Sequence, residues 1–215
     1  MIFNTHSNLE GKHAILSPSS FRWIFDEPDQ LIQRYRRLYA TDIGTVLHYV
    51  ARSLIENKIK LHKHDKKMIF LRLLENPGIP NDVAYSLEFD EIYDNFMRYV
   101  NDAILYRMTP EVVLYYSDKC FGTTDAIAYD DKDRFLRIHD YKSGMTPAHM
   151  EQLEIYAGLF CLEYKVNPRE LATELRIYQG DEPVIFSPTS SELNDVVNAI
   201  INQNKILMEE EGLLR

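Results

Sequence analysis

The stretch Arg134-Phe-Leu-Arg-Ile-His-Asp-Tyr-Lys-Ser-Gly144 limits the fold more than any other part of the chain. Up to Lys142 it reads as a β-strand, because Leu136 and Ile138 alternate with Arg137 and His139 and Gly144 ends the run. A strand has a period of two, so Leu136, Ile138, Asp140 and Lys142 share one face. Two apolar residues thus lead into a carboxylate and an ammonium on the side expected to meet the core. A core-facing carboxylate is costly unless something positive holds it, which leaves a metal ion or Lys142 itself. The two Cα atoms are expected roughly 6.5–7 Å apart, so both side chains reach one small site without having to touch. Taken alone, the same pattern also suits an ion pair at a strand end facing water.

A chain of 215 residues can bury a full core, and 45% hydrophobic with 27% charged residues is ordinary for a globular protein. No run is long and apolar enough for a membrane span. Residues 1–10 lack a basic region followed by an apolar stretch, so no signal peptide is expected. Cys120 and Cys161 are the only cysteines, which rules out a disulfide framework and a four-thiolate cluster. A reduced, cytoplasmic protein is expected. The net charge of −9 argues against a protein that coats nucleic acid, though not against a nuclease whose metal site contributes carboxylates. A local basic track, Lys58 to Lys67, suits DNA contact or simply a solvated helix end.

The front of the chain reads as helical. Leu16-Ser-Pro-Ser-Ser-Phe21 opens a helix that Ser17 or Ser19 caps, with Trp23, Ile24 and Phe25 inward. Residues 30–39 carry Arg34, Arg36 and Arg37 on a helix or an exposed extended segment. Thr41 or Asp42 is expected to cap a helix whose stripe is Ile43, Val46, Leu47, Val50 and Leu54, with His48 on its margin. Gly44 inside that helix suggests close approach by another backbone. Residues 66–75 suit a helix, 76–80 a loop, and 81–107 one long helix.

The texture changes at Thr109-Pro110. Strands at 111–118, 120–129 and 134–142, joined by short turns, make an antiparallel meander. Asp125, in phase with Ile127 and Tyr129, is expected to face the apolar side. A helix from Pro147 to Tyr164, strands at 171–179 and 184–186, and a last helix begun by a Thr189/Glu192 capping box complete the chain. The expected architecture is a single α/β domain over residues 1–215. Its parts are a mainly helical front (1–108), a sheet core (109–188) containing the 147–164 helix, and a C-terminal helix (189–215).

His48, Glu111, Asp125, Asp140 and Lys142 are the chemically unusual residues of this plan. Neighbouring strands lie about 4.8 Å apart, so Asp125 and Asp140 can share one cation if the register allows. Oxygen ligation suits Mg²⁺ or Mn²⁺, and an imidazole favours Mn²⁺. Structural zinc lacks its thiolates. A glycosidase-like carboxylate pair gives the lysine no part.

The constellation resembles the PD-(D/E)xK nuclease superfamily, and within it the RecB-like and Cas4-like exonuclease branch. Leu16-Ser-Pro-Ser-Ser-Phe21 looks like that branch's Ser-Pro-Ser segment, and Gly44-Thr-Val-Leu-His48 is similar to its Gly-Thr-x-x-His motif. Glu111 matches an acidic residue ahead of the meander, Gly122-Thr-Thr-Asp125 a Gly-x-x-Asp, and Asp140-Tyr-Lys-Ser-Gly144 an Asp-x-Lys-x-Gly. Gln152-Leu-Glu-Ile-Tyr156 matches the Gln-x-x-x-Tyr helix that follows. Each motif is weak alone; six in order are specific together. The branch members with an iron–sulfur cluster carry four cysteines, so no such cluster is expected here. No helicase motif accompanies the module, and stand-alone phage recombination exonucleases are similar in that respect.

The resemblance implies a restriction-endonuclease-like core and a Mg²⁺- or Mn²⁺-dependent deoxyribonuclease, an exonuclease before an endonuclease. It implies a setting in the bacterial or phage-infected host cytoplasm. His48, Asp125, Asp140 and the Tyr141 carbonyl would hold the metal, and Glu111 a second ion or a water. Lys142 would position or deprotonate the attacking water, or stabilise charge on phosphorus. Gln152 and Tyr156 would orient the DNA strand, with Ser19, Arg34 and Arg37 as further contacts. DNA is the implied partner, with a recombination or single-strand-binding protein as a second candidate and no membrane. A catalytically silent binding module on the same fold is the alternative.

Overall fold

The computed structural model describes residues 27–144, 148–180 and 182–213. The expected helix at residues 16–25, the Ser-Pro-Ser segment with Ser19, and Pro147 lie outside these. Arg34 and Arg37 lie on a described helix backbone, but their side chains are outside the described ones.

The first helix, α1 (Pro28–Glu56), is continuous through Thr41 and Asp42, where a cap was expected. A cap needs a non-helical residue in front of it, and residues 30–40 are good helix formers. The start lies instead at Glu27, whose N–H donates to Gln30 Oε1 at 2.9 Å, with Pro28 in the first turn. Ile43, Leu47, Ala51 and Leu54 form its buried stripe. Residues 58–60 and 62–64 of the basic track are exposed, and Lys66 pairs with Asp90.

After α2 (Lys66–Leu74) and the loop at 76–80, the long helix expected over 81–107 is broken into α3 (Asn81–Tyr85) and α4 (Phe89–Leu105). Ser86 accounts for the break. Its hydroxyl donates to the Val83 carbonyl at 2.8 Å, an alternative to continuing the helix. Phe89, Tyr93, Phe96, Tyr99, Val100 and Ala103 of α4 are buried, and Ile92 is half-buried.

A five-stranded mixed sheet follows in spatial order β1-β2-β3-β4-β5. The strands are β1 (Thr109–Ser117), β2 (Cys120–Asp130), β3 (Phe135–Tyr141), β4 (Ala172–Tyr178) and β5 (Val184–Phe186). β1, β2 and β3 form the antiparallel meander; β3 and β4 pair in parallel; β5 returns antiparallel to β4. The parallel pair needs a long crossover, which α5 (Glu151–Tyr164) provides. Thr189 and Glu192 form the expected capping box of α6 (Ser190–Leu213).

The fold is α/β, with helices on both faces of the sheet. One core joins α1–α4 to Ala126, Tyr141 and Tyr178. The other joins α5 and α6 to Leu114, Ile127, Leu136, Ile138, Leu175 and Ile177. β3 is therefore buried on both sides. Of the residues that alternate with its apolar ones, His139 is fully buried against Tyr106 and Tyr178, and the half-buried Arg137 lies over the Tyr106 ring. Among the described residues, no helix is long and apolar enough to cross a membrane.

Candidate metal centre

The sheet's hydrogen-bond ladders bring the acidic residues together. Pro110 pairs with Ala126 and Val112 with Thr124, which sets Glu111 opposite Asp125. The β2–β3 ladder ends at Ala126 and His139, so Asp125 and Asp140 stand just beyond its last rung. There the Asp125 carboxylate replaces a backbone acceptor: the Tyr141 N–H donates to its Oδ2 at 2.8 Å.

From the other side α1 brings His48, half-buried on the helix margin as expected. Its Nδ1 lies 3.6 Å from Asp125 Oδ1. One ligand atom from each of His48, Glu111 and Asp125 falls within 4.8 Å of the others. Gly44, one helical turn before His48, meets no neighbouring backbone; a Cβ there would lie 3.5 Å from Ser143 Oγ, an ordinary contact. The chain leaving β3 thus passes beside α1 through a side chain.

Asp125 does not share a side with Ile127 and Tyr129, as its phase suggests. It reaches His48 on α1, whereas Ile127 and Tyr129 pack in the α5–α6 core. The even-numbered residues change sides too: Gly122 faces Tyr156 of α5, and Ala126 packs in the α1–α4 core. Opposite this change Glu111 has φ of 54°. For a residue with a Cβ that left-handed conformation costs about 1–2 kcal/mol. Backbone strain of this kind persists where surrounding structure over-determines it, often at a functional site. Glu111→Gly should therefore exceed Glu111→Ala in stability by about 1 kcal/mol, since both lose the carboxylate and only glycine relaxes the backbone. Equal thermal midpoints for the two variants would refute the strain.

Asp140 lies on the α5 side of the site and is 3% exposed. Its Oδ1 accepts from Lys142 Nζ at 3.0 Å, and Lys142 Nζ also lies 3.5 Å from Gln152 Oε1 on α5. The lysine thus touches its carboxylate, which the spacing did not require. The other oxygen, Asp140 Oδ2, is buried without a hydrogen-bond partner. Asp140 is not in the 4.8 Å group of His48, Glu111 and Asp125. Asp125 and Asp140 lie on adjacent strands, near enough for the Asp125 charge to act on Asp140.

Burial dominates the electrostatics. It pushes the Asp125 carboxyl up to about 7, against the Tyr141 N–H and the Lys142 charge, while Glu111 adds to the rise. It pushes Asp140 up to about 6, helped by the Asp125 charge and opposed by Lys142. Burial lowers the His48 pKa despite the Glu111 and Asp140 charges, which favours the neutral ring. A neutral imidazole, costly carboxylates and an orphaned carboxylate oxygen fit a divalent cation, which binds the deprotonated forms.

Tyr156 is half-buried, and a Cβ on Gly122 would come within 2.9 Å of its ring. The glycine lets the ring lie against β2. Gly122→Ala should lower stability by about 1–3 kcal/mol through overpacking, measured by denaturant unfolding. Gln152 is exposed beside Lys142. Tyr141 is fully buried, and its hydroxyl donates to the Ile92 carbonyl at 3.3 Å.

Sequence reasoning missed a part-buried polar network between α4 and the strands β3 and β4. The Tyr178 hydroxyl donates to Asp102 at 2.7 Å and lies 3.2 Å from His139 Nδ1. Arg176 donates to Asp102, Glu174 and the Tyr106 hydroxyl. Burial, and then the Arg176 and Arg137 charges, bring the His139 pKa down to about 3. These partners sit on α4, β3 and β4, far apart in the chain, and no local motif announces them.

Residues 13–160 match the family described as "Protein of unknown function (DUF2800)". The chain belongs to this family. The matched range holds every member of the DUF2800 chain's candidate centre, from His48 through Lys142 to Tyr156. Its description assigns no activity. No curated protein and no solved structure gives a significant match.

Proposed function

We propose that this DUF2800 member is a metal-dependent nuclease that hydrolyses phosphodiester bonds in DNA. On this reading its sheet is a restriction-endonuclease-like core of the RecB-like branch. The observation that carries the reading is the grouping of His48, Glu111 and Asp125 at the open end of one β-ladder, with Asp140 and the Lys142 that contacts it on the neighbouring strand. The residues are those of the ordered sequence motifs. Asp140 Oδ2, buried without a hydrogen-bond partner, has a lone pair free to serve as a cation ligand.

His48, Asp125 and Asp140 would hold Mg²⁺ or Mn²⁺, with the Tyr141 carbonyl as a backbone ligand and Glu111 toward a second ion or a water. When bound, the cation supplies a more acidic water and a polarised phosphate. The protein's own groups do the rest. His48 presents a neutral ring nitrogen because burial disfavours its cation. The Tyr141 N–H fixes one Asp125 oxygen and leaves Oδ1 directed to the centre. Lys142, held between Asp140 and Gln152, carries the positive charge that stabilises the negative charge developing on phosphorus. Gln152 sets the position of that ammonium and stands where a DNA strand would pass.

Exonuclease action in DNA processing, recombination or repair, in a bacterial or phage-infected cytoplasm, is the form of the activity we favour. A time course on end-labelled linear and closed circular DNA with Mg²⁺ or Mn²⁺ tests it. Linear DNA should shorten from its ends while circles persist, and chelation should stop the reaction. Cutting of circles would make the enzyme an endonuclease. Binding without hydrolysis of either would mark a silent module and end the proposal.

A further inference from the structure

The β1–β2 hairpin extends past the centre and carries a second kind of surface. Its face toward α5 is buried, with Leu114 fully so. The opposite face has no cover among the described residues: Phe121 is 61% exposed, Val113 54% and Tyr115 46%. Phe121 pairs with Tyr115 and Thr123 with Val113, and Asp125 and Glu111 come next along the two strands, opposite each other where the ladder is interrupted. An aromatic row, an aliphatic row and the acidic row therefore follow one another along the hairpin. The Tyr115 and Phe121 rings stack 6.4 Å apart at 27°, and the Tyr115 hydroxyl donates to Asp118 at 2.7 Å. On α1, Tyr49 next to His48 is 75% exposed.

We infer that this hairpin face is a stacking platform for unpaired bases of a nucleic-acid strand whose backbone enters the centre. The inference rests on the nuclease reading for its direction, and it adds a substrate class: a single-stranded end or overhang. Exposed aromatic rings beside one another are the usual means of holding single strands without regard to sequence, since every base has a flat face. Phe121 stands four residues from Asp125 on the same strand, about 13 Å along it. That distance is a short reach for an extended strand crossing from platform to carboxylates. The platform is continuous with the centre through β1 and β2. Hydrophobicity alone would serve a partner protein equally well; the shared strand and the approach to a phosphodiester-cleaving site favour a base.

The test is equilibrium binding of a fluorescent single strand of about twelve nucleotides by the full chain in EDTA, read by anisotropy. Parent protein should bind it more tightly than a blunt duplex. Phe121→Ala should weaken it about tenfold or more, Phe121→Trp should restore it, and abasic sites in the strand should remove the difference between parent and Phe121→Ala. Equal affinity of parent and Phe121→Ala, or no binding by the parent, would overturn the inference. So would a parent that is dimeric in light scattering and a Phe121→Ala variant that is monomeric, because the face would then belong to a second copy. EDTA separates this result from catalysis: platform-dependent binding without any metal-dependent hydrolysis would refute the nuclease reading and leave the platform standing.

Discussion

Lys142→Ala and Asp140→Ala each reduce hydrolysis of linear DNA by about 10³-fold or more, with the fold intact by circular dichroism. Lys142 is the cation seated on Asp140, and its loss removes the group that meets charge on the phosphate. The two losses have different origins, and metal affinity separates them. Lys142→Ala should leave Mn²⁺ binding intact or strengthen it, since a competing positive charge departs from Asp140. Asp140→Ala should weaken it. If both variants cut as fast as the parent, neither residue belongs to an active centre.

Asp125→Asn should act in opposite directions on stability and on metal binding. In the metal-free protein Asp125 and Asp140 are raised to about 7 and about 6, mainly by burial, from an ordinary 3.8. The folded protein thus holds protons that the unfolded chain releases, so their contribution is fully present below about pH 4 and is lost as pH rises through about 7. The loss is on the order of a few kcal/mol for the pair. His48, whose pKa is lowered, works the other way: its contribution is present above its unfolded value and is lost as pH falls through the folded one. Asp125→Asn keeps an oxygen for the Tyr141 N–H and removes the buried charge. It should raise the thermal midpoint of the metal-free protein at pH 8 and leave it nearly unchanged at pH 4. It should also abolish the stabilisation that Mn²⁺ gives the parent, which itself should grow between pH 5 and 8. A midpoint difference between Asp125→Asn and the parent that does not grow from pH 4 to pH 8 would contradict the burial of this carboxylate.

Much of this centre is legible in the chain because its local signals are strong. The alternation of Leu136 and Ile138 toward Asp140, ended by Gly144, places β3 within a residue at either end. The margin position of His48 follows from helical periodicity alone. What escapes the sequence depends on distant partners or on backbone conformation. Arg137 and His139 look like a solvent face until Asp102, Glu174, Arg176 and Tyr178 are brought to them by α4 and β4. The change of side at Asp125 goes with the left-handed Glu111 across the ladder, which no residue type at 111 betrays. Ser86 and Glu27 set helix boundaries through local hydrogen bonds, while Thr41 and Asp42 offered capping chemistry that a continuous helix did not use.

Mn²⁺ titration followed by electron paramagnetic resonance reads the shared divalent cation directly. Adding the parent protein at pH 8 should remove the six-line signal of free Mn²⁺, and the Asp125→Asn/Asp140→Asn double variant should leave it. A free-ion signal undiminished by the parent protein would contradict the account.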